Sequence, residues 1–133
     1  MELRIIGSGA IIENKKILLE KRSQNYLYPG MWSLVGGTID FNKEPLRETA
    51  SREIKEETNL NFVPTEMFGF YENIDENMHS ICHVFLGNFS GDIRIKEDEI
   101  EEVKWFTYHE AIQLNLAFGY KKAIEDLHKR ELL

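Results

Sequence analysis

One cysteine in 133 residues, Cys82, cannot close an intrachain disulfide, so the fold must rest on packing and a reducing compartment is the expected setting. No apolar run approaches the ~18 residues of a membrane span, and the opening MELRIIGSGAII lacks the basic region and long apolar stretch of a secretory leader. The expected location is the cytoplasm, with no membrane partner. Positive charge is also scarce. Sixteen Lys and Arg stand against 23 Asp and Glu, a formal net charge of −7, which leaves no basic face to neutralise a nucleic-acid backbone. A small anionic ligand stays compatible with that balance, provided a cation or a few placed basic groups offset the local repulsion. Repeats, low-complexity tracts and linker-like stretches are all missing. A 42% hydrophobic content suffices for one ordinary core, so residues 1–133 are expected to form a single domain.

What is present reads as α+β. Leu3 to Ile12 and Lys16 to Arg22 are aliphatic, β-branched runs flanking the polar turn Glu13-Asn14-Lys15, the pattern of a hairpin. Ser23 to Met31 carries Asn25, Pro29 and Gly30 and reads as a loop; Trp32 to Val35 reads as a short strand ending at Gly36-Gly37, which Thr38 to Phe41 could extend. Pro45 to Thr58 has the spacing of a helix, because Pro45 suits a first helical position and Leu46, Ala50 and Ile54 recur every four residues. Asn59 is its expected end. Further strands are expected at Leu60 to Val63, Met67 to Ile74 and His79 to Phe89, parted by Pro64 and by a turn at Asp75-Glu76-Asn77. After a turn at Gly91-Asp92 come a short strand Ile93 to Ile95, a charged loop Lys96 to Glu102, a strand Val103 to Tyr108, and helices near His109 to Leu116 and Tyr120 to Arg130.

Within the first helix, Glu53, Glu56 and Glu57 are three and four residues apart, so their carboxylates fall on one sector about 100° wide. Each like-charge pair costs a few tenths of a kcal/mol when exposed and more as the site dries out, which asks for a cationic partner. Carboxylate oxygens suit a hard divalent ion such as Mg2+, with Mn2+ also compatible. A solvated acidic helix face, relieved by Arg47, Arg52 and Lys55, is the plainer account of the same three residues.

The surrounding pattern decides between them. Gly37, Glu44, Arg52-Glu53-Ile54, Glu56-Glu57 and Leu60 resemble the Nudix box: Gly, five residues, Glu, seven residues, Arg-Glu, an aliphatic, any residue, Glu-Glu, any residue, Gly, an aliphatic. The runs Leu18-Leu19-Glu20-Lys21-Arg22 and Pro29 to Gly37 are similar to the family's approach to that box. Two positions depart. Six residues separate Gly37 from Glu44, implying one extra residue in the turn at Phe41-Asn42-Lys43; Asn59 replaces the second glycine, a mild change if that position is a left-handed helix cap.

The resemblance implies an α/β/α sandwich with a mixed sheet between helices, and a Mg2+-dependent hydrolase in which activated water cleaves the diphosphate linkage of a nucleoside diphosphate derivative. Nucleoside triphosphates, ADP-ribose and nucleotide sugars are candidates, with a lean toward the triphosphate-cleaving, MutT-type branch. It further implies that Glu53, Glu56 and Glu57 bind the metal, with Glu53 the first choice as general base. Arg52 would orient a box glutamate, Arg22 and Gly37 would contact substrate, and Glu99 is favoured over Glu97 and Asp98 to complete the metal site. The alternative is a nucleotide-sensing or protein-binding domain without catalysis. Trp32 and Trp105 read as packing residues. His79 and His83, four apart in a strand, lie some 13 Å apart and cannot share one ion. The expected state is a monomer or a homodimer, and no stripe in the sequence singles out an interface.

Overall fold

The computed structural model describes residues 2–76 and 78–133. The elements follow as β1 (Glu2–Ala10), β2 (Ile12–Glu13), β3 (Lys16–Arg22), β4 (Trp32–Thr38), α1 (Leu46–Thr58), β5 (Asn61–Ile74), β6 (Met78–Ser90), β7 (Ile100–Phe106), α2 (Tyr108–Ala111) and α3 (Tyr120–Lys129). The strands form a mixed sheet in the order β2-β3-β4-β1-β6-β5, with β7 also paired to β3. Its one parallel pair among the described residues is β1 with β6.

Period-two alternation sends β1 side chains to two different layers. Ile6 and Ala10 join Leu19, Leu34, Cys82 and Val84 against Ala111 of α2 and Ala123, Ile124 and Leu127 of α3. Gly7 and Gly9 face α1 instead: a Cβ would stand 2.7 Å from the Leu46 carbonyl oxygen at Gly7 and 2.7 Å from Ile54 Cδ1 at Gly9. Without side chains there, α1 lies directly on β1, and Ala50 and Ile54 pack with Leu18, Val35, Leu60 and Phe62. Burying each such aliphatic side chain is worth about 1.5–3 kcal/mol, so the helix is fixed by its apolar stripe. Helices on both faces of a mixed sheet make the expected sandwich.

Asn59 caps α1 in the left-handed region (φ 70°), its N–H donating to the Lys55 carbonyl, the role in which asparagine replaces glycine at least cost. Pro45 stands one residue earlier than expected, as the extended residue before the first helical turn.

Several boundaries differ from the sequence-based expectation. The first strand ends at Ala10, and Ile12–Glu13 pairs separately with β3. Pro64 does not divide β5, because the pairing with β6 shifts register between Pro64 and Glu66 and again between Met67 and Gly69; bulges absorb the missing N–H. The helix expected over His109 to Leu116 is the single turn α2, closed by a capping box between Thr107 and Glu110. It stops there because the following segment pairs with β4, the Trp32 N–H donating to Asn115 O (2.9 Å) and the Ala117 N–H to Trp32 O (2.8 Å). Ile93 to Ile95 forms no strand; the Arg94 and Lys96 N–H groups donate to Thr58 O (2.8 Å) and Glu57 O (3.0 Å), satisfying carbonyls that end α1. β7 begins at Ile100, inside the stretch read as loop, and the extension of the Trp32 strand stops at Thr38. In the expected turn before β6, Asn77 lies outside the described residues; Asp75 and Met78 close the hairpin through two 3.0 Å bonds.

Candidate active site

The charged residue in the middle of β3 organises one side of the sheet. Glu20 shares the α1 face with Leu18 and is 1% exposed, meeting Glu57 (2% exposed) from the last turn of α1. Burial pushes Glu20 up to about 8. Burial likewise holds Glu57 well above the usual carboxyl range, with repulsion from Glu20 and contact with Glu53 adding to it. Glu53, its side chain 15% exposed, lies over Gly37: a Cβ on that residue would come within 2.3 Å of Glu53 Cδ. Gly37 is therefore required by space, to seat a carboxylate.

Three carboxyl groups thus gather in a nearly dry pocket under α1. Glu20 Oε2, Glu57 Oε1 and Ser33 Oγ are buried there without a hydrogen-bond partner among the described residues, and Ser33 pairs with Glu20 across β3 and β4. Buried oxygens of this kind must take protons or accept a cation. No metal-ready trio of His, Cys, Asp or Glu stands among the described residues. The donor chemistry nonetheless fits a divalent ion: hard oxygens, two of them unsatisfied, beside a glycine that leaves room.

Arg52 braces the rim. Its Nε donates to both Glu44 oxygens (3.0 Å each) and its Nη2 to Glu44 Oε1 (2.7 Å), while Nη1 reaches Glu53 Oε1 (2.9 Å) and both oxygens of Glu56 (3.2 Å). The guanidinium and Thr49 Oγ1, which donates at 2.9 Å, hold Glu44 down to about 2. The extra residue in the preceding turn is accommodated by Asn42 at φ 65°, and Glu44 still reaches Arg52.

The structure brings Glu53 and Glu57 together but sets Glu56 apart: its side chain is 46% exposed and turned to Arg52. A common sector on the helix is wide enough for one member to face solvent. Glu20 takes the third place, a residue whose signal in the sequence was a carboxylate inside an otherwise aliphatic strand. Of the three acids in the later loop, Glu97 and Asp98 are exposed and Glu99 is half-buried, its carboxylate paired with Lys96 (3.2 Å). The Ser23 N–H and Oγ donate to Glu99 O and Asp98 O (3.1 Å each), tying that loop beside the pocket.

Across β4 lies a cleft of opposite character. Arg4, Arg22, Tyr26, Thr38, Phe118 and Tyr120 line a space of about 310 Å3, counted to its open mouth, with Gly36 and Gly37 at its floor. Arg22 is 6% exposed; its Nε donates to Leu27 O, and its guanidinium lies 4.7 Å from the Tyr26 ring centre and 5.1 Å from that of Phe118. Arg4 donates from Nη1 to Thr38 Oγ1 (3.2 Å) and pairs with Glu2 through Nη2. Neither Arg4 nor Tyr26 stood out in the sequence. Trp32 packs edge-on against Phe106 and Trp105 lies beside Phe89. Cys82 is fully buried on the face opposite His83.

The NUDIX domain model matches residues 3–127. The chain belongs to the Nudix family. It is 33% identical over 120 residues to the ADP-ribose pyrophosphatase of Methanocaldococcus jannaschii, covering 89% of this chain and 69% of that one. It is 32% identical over 105 residues to the NAD-capped RNA hydrolase NudC of Mannheimia succiniciproducens, covering 76% of this chain but only 38% of the relative. Among solved structures, the MutT protein of Methanosarcina mazei superimposes with a TM-score of 0.86 at 25% identity over 98% of this chain and 96% of the other. The MutT NUDIX hydrolase of Burkholderia pseudomallei does so with a TM-score of 0.75 at 30% identity, over 83% and 87%. The Nudix fold and the function class, hydrolysis of nucleoside diphosphate derivatives, agree with the sequence-based expectation. No helix among the described residues is long and apolar enough to cross a membrane.

Proposed function

We propose that this Nudix domain is a divalent-cation-dependent pyrophosphohydrolase, most simply with Mg2+, acting on a small nucleotide-type substrate. The observation that carries this reading is the gathering of Glu20, Glu53 and Glu57 around buried, unsatisfied oxygens beneath α1. Glu53, Glu57 and Glu20 would hold the cation, with Glu56 and Glu99 available at the rim. Bound there, a divalent cation supplies Lewis acidity toward phosphate oxygens and makes a neighbouring water more acidic.

The chain's own residues divide the remaining work. Glu53, the carboxylate nearest Gly37, is placed to accept the proton of the attacking water. Arg52 fixes Glu53 by a charge-assisted bond and is itself fixed by Glu44, so the carboxylate keeps one orientation through the reaction. Arg22, stiffened between two rings, offers its remaining N–H groups to anionic oxygens, for which its planar fork is suited. The phosphate chain would then pass over Gly36-Gly37 between the arginine cleft and the glutamate pocket.

Incubating the purified protein and Mg2+ with nucleoside triphosphates, ADP-ribose, nucleotide sugars and dinucleoside polyphosphates, then resolving the products, tests this. Expected is cleavage within the diphosphate linkage of at least one class, lost on chelation and in Glu57→Gln. Tight nucleotide binding without turnover across the panel would favour the sensor alternative.

A further inference from the structure

α1 covers only one end of its side of the sheet. The register places Gly7, His83 and Phe70 in one row across β1, β6 and β5, then Ile5, Ile81 and Glu72, then Leu3, His79 and Ile74. Directly paired residues project to the same face, and Gly7 fixes which face it is, since a Cβ there would touch α1. The first turn of α1 lies over Gly7 in that first row, and among the described residues no helix packs on the next two rows. On the opposite face the same strands carry Ile6, Cys82 and Val84, packed with the other helices, and Ser80, also buried.

This end of the face, with Phe70 at the open edge of the first row, carries several exposed apolar side chains. Leu3 is 62% exposed, Phe70 69% and Ile74 64%, and Phe41, on the lengthened turn before Glu44, is 73% exposed at the border. The two polar side chains of these rows satisfy each other, His79 Nε2 and Glu72 Oε2 meeting at 2.5 Å. Leu3, Ile5, Thr38, Ile39 and Phe41 also line a groove of about 500 Å3, counted out to open solvent.

We propose that this face is the interface of a homodimer, closed by a twofold axis. Area supports a protein-sized partner: an aromatic side chain spans roughly 150–250 Å2. Phe41, Phe70, Leu3 and Ile74 with the half-buried isoleucines therefore expose on the order of 700 Å2, near the ~800 Å2 each partner gives to a stable complex. Self-complementarity selects a second copy. The same face holds a projecting ring, Phe70, and a groove of a size to take it, so one twofold operation fills both grooves at once. Two chains of net charge −7 repel, and this largely apolar patch is where they can approach.

Sedimentation velocity on the purified chain from about 1 to 100 µM tests the proposal, independently of any hydrolase activity. The expected result is a concentration-dependent dimer. Phe70→Glu, at an exposed position that the fold tolerates, should raise the dissociation constant by at least about 30-fold, with circular dichroism unchanged. Val63→Glu, an equally exposed apolar site on β5 outside these rows, should leave it unaltered. A wild-type monomer throughout that range, or a dimer insensitive to Phe70→Glu, would overturn the assignment.

Discussion

The two sides of Gly36-Gly37 are chemical opposites. Under α1, Glu20, Glu53 and Glu57 crowd negative charge into a dry pocket; on the other side, Arg4 and Arg22 stand among aromatic rings in an open cleft. One strand separates them. Alternation along β4 makes Gly37 a seat for Glu53, whereas a Cβ on Gly36 would lie 2.3 Å from the Gly7 carbonyl oxygen. Each side is unbalanced in charge by itself: the acids repel, and among the described residues Arg4 and Arg22 form an ion pair only with Glu2, through Arg4. A substrate carrying phosphates, brought in with a cation, would complete both sets of charges at once, which would let a chain of net charge −7 accept an anion.

Breaking the acidic side should have the largest effect. Glu53→Gln or Glu57→Gln is expected to lower kcat on the order of 10^3-fold, with the melting temperature kept or raised, since a buried repulsion is removed. Separating the two glycines comes next. Gly37→Ala should displace Glu53 and cost on the order of 10^2-fold in kcat while folding normally, whereas Gly36→Ala should instead destabilise by about 1–3 kcal/mol in denaturant titrations. On the basic side, Arg22→Lys keeps the charge and loses the fork; KM should rise about 10-fold with kcat little changed. The smallest effect is at the rim. Glu44 falls from its usual 4.5 to about 2 in the fold, so its stabilising contribution is complete above pH 4.5 and is lost as pH drops toward 2. Acid unfolding of Glu44→Gln should lack that portion, about 1–2 kcal/mol after screening.

The glutamate helix was legible in the sequence because its evidence is local: the spacing of Leu46, Ala50 and Ile54, the Asn59 cap and the box residues all lie within one stretch. The sheet order and the boundaries of the later elements were not. α2 stops early because residues 115–117 pair with Trp32, some 80 positions away, and β5 continues through Pro64 because bulges accommodate it. The site shows the same division. Arg52 and Glu53 could be read from the motif, but Glu20 joins them only through strand pairing and the register of β3 against β4. Glu56 shows the converse, since helical periodicity gives a sector and not an inward direction.

On the proposed reading, the Glu20, Glu53 and Glu57 pocket receives a divalent cation. Calorimetric titration of the metal-free protein with Mg2+ near pH 7, in two buffers of different ionisation enthalpy, tests it most directly. Expected is saturable binding with proton release, because the raised carboxyl groups must ionise to bind, and loss of that binding in Glu57→Gln. Heat that is unchanged by Glu57→Gln, or binding that releases no proton, would contradict it.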